Sequence, residues 1–118
     1  MALDSISPLD GRYLKDLKDL CLYVSESALI RYRVEVEIRW LLCMSKSAAI
    51  THVRAFTPEE AATLKGWMDG FSEADAAKVK DIEATTRHDV KAVEYFVKEL
   101  LKETSMVDVI ESVHFGCT

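Results

Sequence analysis

Glycine and proline are scarce in this chain, with four and two copies among 118 residues. That scarcity excludes a loop-rich or linker-joined architecture, and no internal repeat or low-complexity stretch is present. The apolar runs are too short to cross a bilayer, so no membrane partner is expected. A basic surplus is also missing. The net charge is −5 and the pI near 5.2, which argues against a nucleic-acid or anionic-membrane surface. Any anion must be held by a local site. Cys21, Cys43 and Cys117 form an odd set without metal-like spacing, and no signal peptide precedes them. A reducing, cytoplasmic setting fits better than secretion. His52, His88 and His114 lie more than twenty residues apart. No Gly-rich phosphate loop, Ser-His-Asp order or zinc-helix motif occurs, so neither metal nor cofactor is expected.

What remains is a chain of ordinary domain length, 49% hydrophobic and 30% charged. Its helix signals are strong. Thr57-Pro58-Glu59-Glu60 combines an N-cap, a proline at the first helical position and a Glu at the third, and starts a helix to about Gly70. Ser72 with Asp75 caps another, running to Thr85. Val90, Val93, Phe96, Val97, Leu100 and Leu101 mark a third, to about Glu103, and Ser105 to Ser112 suit a short further turn.

Residues 25–45 read two ways. Tyr32, Val34, Val36, Ile38 and Trp40 alternate with charges as in a strand. Yet some twenty residues without Gly or Pro suit a helix, and Arg31–Glu35, Arg33–Glu37 and Glu35–Arg39 are spaced as helical ion pairs. The helix reading prevails, so the expected class is all-α. A single domain is expected, with an irregular arm over 1–24, helices over 25–112 and a cut-short site motif over 113–118.

Three polar clusters could carry chemistry. Thr86 and Asp89 resemble a capping box with Asp for Glu, which would leave Arg87 and His88 free of capping duty at a helix start. Unpaired N–H groups and the helix dipole favour an anion there, although a plain cap is the commoner use of such a start. Arg12 and Tyr13 follow the Asp10-Gly11 turn, and His114 and Thr118 bracket Phe115-Gly116-Cys117. Cys117 has no neighbouring cation to activate it as a nucleophile.

Together these words resemble the N-terminal part of the adenylosuccinate lyase family, in the fumarase/aspartase superfamily. The likeness rests on Ser7-Pro8-Leu9-Asp10-Gly11-Arg12-Tyr13, on Ser25-Glu26 with Arg31-x-Arg33-Val34-x-Val36-Glu37-x-Arg39-Trp40-Leu41, on Ile82-Glu83-x-Thr85 through Phe96 and on His114 to Thr118. The unbroken run from Asp89 to Phe96 suggests the bacterial-type branch, also found in some protists. The resemblance implies elimination of fumarate from adenylosuccinate, giving AMP, and from succinyl-aminoimidazole carboxamide ribotide, in purine biosynthesis. It implies nucleotide substrates and a cytoplasmic homotetramer. Arg12 and Tyr13 would contact the nucleotide phosphate; Arg87, His88 and Asp89 would line the site, with Asp89 orienting the imidazole or its loop. His114 and Thr118 would sit by the succinyl carboxylates, and His88 and His114 would support catalysis. Some family members have Asn in place of Arg87. The family's general-acid histidine, its serine base and its central long-helix bundle have no counterpart in this sequence, so the chain alone is expected to be inactive. A non-catalytic helical interaction module, or another lyase of the superfamily such as argininosuccinate lyase, is the alternative.

Overall fold

A computed structural model describes residues 3–117; Thr118 lies outside the described residues. The class is all-α, with no strand among them. After surface turns, two single 3-10 turns (Leu14–Asp16 and Lys18–Leu20) and a one-turn helix α1 (Cys21–Val24) lead to α2 (Glu26–Lys46). Then come α3 (Pro58–Asp69), α4 (Glu73–Thr86), α5 (Asp89–Lys102) and a 3-10 segment, Ser105–Ser112. No residue of the elements between Leu14 and Val24 is buried. The arm is thus partly helical and lies outside the core, with its last turn, α1, in contact with α2.

Why α2 imitates a strand in sequence is visible in its packing. Ser25 caps it, its hydroxyl accepting from the Ala28 N–H at 3.1 Å. Ile30, Val34, Ile38, Leu41 and Met44, three or four apart, form the fully buried stripe. Tyr32, Val36 and Trp40, four apart, form a second and more exposed stripe. Interleaved, the two stripes read as alternation. Of the three helical ion pairs expected, only Arg39–Glu35 forms, at 2.9 Å. Arg31 instead donates to the Leu22 carbonyl, Arg33 reaches Asp89, and Glu37 turns inward to His114.

The other helices begin as their caps dictate. Thr57 and Glu60 form a reciprocal capping box at α3, with Pro58 first in the helix, and Gly70 ends it. Ser72 and Asp75 do the same for α4. Thr57→Ala is therefore expected to cost about 1 kcal/mol, read as a lower midpoint in urea unfolding with an unchanged slope.

The core joins Val34, Ile38 and Leu41 of α2 to Leu64 of α3, Val79 of α4, and Val93, Val97 and Leu101 of α5. Met106 and Val109 of the 3-10 segment close it over α5. This packing sets the start of α5 and the chain's last described turn against α2, where the candidate groups meet.

Candidate functional site

The junction between α4 and α5 is built differently from the expected Thr86–Asp89 box. Helix α4 runs through Thr86, and Arg87 terminates it in the left-handed region, φ 55°, with its N–H on the Glu83 carbonyl at 2.7 Å. His88, not Thr86, is the N-cap of α5: its Nδ1 accepts from the Lys91 N–H at 3.1 Å. Both residues expected to be free of capping thus perform it. Thr86 keeps a smaller role, its hydroxyl accepting from the His88 N–H at 3.3 Å.

These geometries have consequences. Only a ring with a lone pair on Nδ1 can cap in this way, so the capping form of His88 turns its Nε2–H edge outward. Asp89 accepts from the Val90 N–H at 2.9 Å and from Arg33 at 2.7 Å. The Arg33 bond is the main cause holding the Asp89 carboxyl below its ordinary pKa, with the Val90 bond next. Asp89 therefore ties the loop to α2, while the imidazole of His88 is oriented by backbone, its Nδ1 lying 4.0 Å from Asp89.

Arg87 pays the usual strain of a side chain in the left-handed region. Asn tolerates that region better than most residues. Arg87→Gly is expected to stabilise the chain by roughly 0.5–1 kcal/mol, measured as a rise in the unfolding midpoint.

The second centre is the turn after Val113. His114 (φ 69°) and Gly116 (φ 73°) are left-handed, with bonds from the Phe115 N–H to the Ser112 carbonyl and from the Cys117 N–H to the His114 carbonyl, each 3.1 Å. Trp40 donates its indole N–H to the Phe115 carbonyl at 2.7 Å, and Phe115 meets His52 edge-on at 4.4 Å. His114 Nδ1 is bonded to Glu37 Oε1, and both side chains are largely buried. Cys117 has its pKa raised, first by desolvation and then by the Glu37 charge, so its thiol is the resting form.

Around this turn lies a hollow of about 280 Å³. Tyr32, Arg33, Val36 and Glu37 of α2, Val90 and Val93 of α5, and His114 and Cys117 line it. Arg33 thus links Asp89 to the hollow that His114 enters. His88 stands exposed at the same end of α5, and Arg87 is exposed beside it.

Arg12 and Tyr13 sit apart on the arm. Asp10 accepts from the backbone of Ser7 at 2.8 Å and Ile6 at 3.2 Å, which shapes the turn and lowers its own pKa, chiefly through Ser7. Tyr13 donates its N–H to the Pro8 carbonyl at 2.9 Å, and the Arg12 guanidinium lies over the Tyr13 ring at 4.7 Å. Among the described residues, no hydrogen bond or ion pair joins Arg12 or Tyr13 to His88, Asp89 or His114. Thr118 falls outside the described residues.

Three residues of this region escaped the sequence reading as site groups: Arg33, Glu37 and Trp40. Glu37 carried a signal. It lies three residues after Val34 and four before Leu41, which puts a carboxylate on the buried stripe. Such a group needs a partner from elsewhere in the fold.

No family model matches the chain. Three curated relatives are similar to it over almost its whole length, and each is named an adenylosuccinate lyase. The protein of Haemophilus influenzae is 49% identical over 117 residues, covering 98% of this chain and 26% of the relative. That of Escherichia coli is 45% identical over 118 residues, 99% of the chain and 26% of the relative. That of Dictyostelium discoideum is 44% identical over 119 residues, 98% and 26%. The chain is thus similar to proteins named adenylosuccinate lyase over almost its whole length, and it spans about a quarter of the length of the curated relatives it matches.

Proposed function

We propose that this chain supplies one wall of an active site that eliminates fumarate from adenylosuccinate, giving AMP, and from succinyl-aminoimidazole carboxamide ribotide. The observation that carries the reading is the 49% identity, over 98% of the chain, to a relative named adenylosuccinate lyase. The geometry is compatible with it. A β-elimination needs an acid–base pair and fixed donors for a charged intermediate. Here His88 offers an outward N–H at a helix start, and His114 is held on Glu37 at the edge of a hollow.

In this reading Arg12 and Tyr13 bind the nucleotide phosphate, with Arg87, His88 and Asp89 beside it, and His114 and Thr118 face the succinyl carboxylates. Asp89 acts by fixing the loop through Arg33. The chain carries neither the serine base nor the general-acid histidine of the family, so the 118-residue chain alone turns over no substrate. The working unit is a cytoplasmic homotetramer whose sites combine several subunits. Among the described residues no helix is long and apolar enough to cross a membrane.

A chimera tests the reading. This chain replaces the matching region of the Escherichia coli relative, and fumarate release from adenylosuccinate is followed by absorbance. Activity within roughly tenfold of that relative is the expected result, a loss of less than about 1.4 kcal/mol in transition-state binding. A folded, tetrameric chimera without activity overturns the proposal.

A further inference from the structure

We infer that Glu37, His114 and Cys117 form a binding site for a divalent transition-metal ion of the zinc type. Their ligand atoms, a carboxylate oxygen, an imidazole nitrogen and a thiol sulfur, lie within 4.8 Å of one another. A tetrahedral zinc ion needs ligand atoms roughly 3.3–3.7 Å apart, from bonds of about 2.0 Å to N or O and 2.3 Å to S. Small side-chain movements bring the three to that spacing, and Cys117 is exposed and able to make them.

A second observation points the same way. Glu37 is only 5% exposed, and its Oε2 is buried with no hydrogen-bond partner. A buried carboxylate oxygen without a donor is costly, and a bound cation satisfies it. His114 Nδ1, bonded to the other oxygen, offers one imidazole ligand next to it. Arg33 also faces the hollow, but its charge is matched by Asp89 at 2.7 Å.

The donor set selects the ion. A thiolate and an imidazole with one carboxylate suit zinc or cobalt, whereas magnesium and calcium take oxygen ligands. Three protein ligands leave a fourth position open to the hollow, for water or a small anion. The turn is already fixed by the Trp40 bond to Phe115 and by the two backbone bonds around His114, so little ordering is required on binding. Binding releases the thiol proton and the proton held between Glu37 and His114 to solvent, leaving thiolate, carboxylate and neutral imidazole as ligands. The site belongs to the 118-residue chain and does not depend on lyase activity.

The reduced chain is titrated with Zn²⁺ against a chromophoric chelator, and with Co²⁺ by absorption. One equivalent of Zn²⁺ and a thiolate-to-cobalt charge-transfer band are the expected results. Cys117→Ser and His114→Gln are each expected to weaken binding roughly tenfold or more, and Cys117→Ser to abolish the band. Cys43→Ser is expected to change neither. Glu37→Gln is expected to weaken binding while circular dichroism reports its fold; should it unfold, Cys117→Ser, at an exposed position, decides. No stoichiometric binding, or binding unchanged by Cys117→Ser, overturns the site.

Discussion

His88→Ala in the chimera is expected to lower fumarate release about a hundredfold or more, the usual scale for a lost fixed donor to a charged intermediate. The same change is expected to cost about 1 kcal/mol of stability. Both losses arise from one ring. Its Nδ1 caps α5 through the Lys91 N–H, and this bond fixes which edge of the imidazole faces out. Alanine removes the cap and the outward N–H together. Asparagine separates the two effects, because it is among the best N-caps but carries no imidazole. His88→Asn should restore the melting temperature and leave activity low. Recovery of activity with asparagine would reduce His88 to a cap. A collapse of the fold with alanine, beyond the cost of a cap, would show that its contacts matter to the core.

Arg54→Ala is expected to be the most damaging polar substitution to stability, lowering the melting temperature by at least about 5 °C. Arg54 grips Glu60 with two bonds of 2.8 Å and Asp108 with bonds of 2.8 and 3.2 Å, and also donates to the Ser105 carbonyl at 3.1 Å. It thus joins the loop before α3, the first turn of α3 and the closing 3-10 segment. Glu60 is 6% exposed, so removing the guanidinium leaves a buried carboxylate with only the Thr57 N–H and the Ser105 hydroxyl. Lysine should not rescue it, since an ammonium cannot make both forked contacts.

The same cluster gives acid sensitivity a sign. Arg54 holds the Glu60 and Asp108 carboxyls below their ordinary pKa values, chiefly through its hydrogen bonds. A carboxyl depressed in the folded state contributes stability that is complete above the unfolded value, near 4, and is lost as pH falls below it. The melting temperature should therefore drop from about pH 5 downward. In Arg54→Ala the drop should be shallower. An equally steep fall in the variant would assign acid sensitivity to other carboxylates, such as Asp89 and Asp10.

What could be read ahead of the structure was mostly local. In the capping boxes at Thr57 and Ser72 the partners stand three residues apart, within the first turn of the helix that they start. At 86–91 two overlapping frames compete, Thr86 with Asp89 and His88 with Lys91. The first has the better residue types, but the chain uses the second. The deciding fact is the left-handed backbone at Arg87, which no glycine announces. Arg33 and Glu37 show the other limit. Their four-residue spacing suggests mutual pairing, yet their partners Asp89 and His114 lie 56 and 77 residues away. Local spacing cannot weigh such partners. The grouping of α2, the start of α5 and the final turn around one hollow is accordingly a product of tertiary packing, although its members were individually conspicuous.

The Trp40 bond to the Phe115 carbonyl also gives the chain an optical gauge. Indole emission shifts in colour and yield when its N–H exchanges a fixed carbonyl for water. The chain has two tryptophans, and the other, Trp67, lies in α3 against the core. With Trp67 replaced by phenylalanine, a single indole watches the segment that carries His114 and Cys117. Lifting of that segment from α2, or its tightening around an ion or substrate, would then be readable in real time without any label.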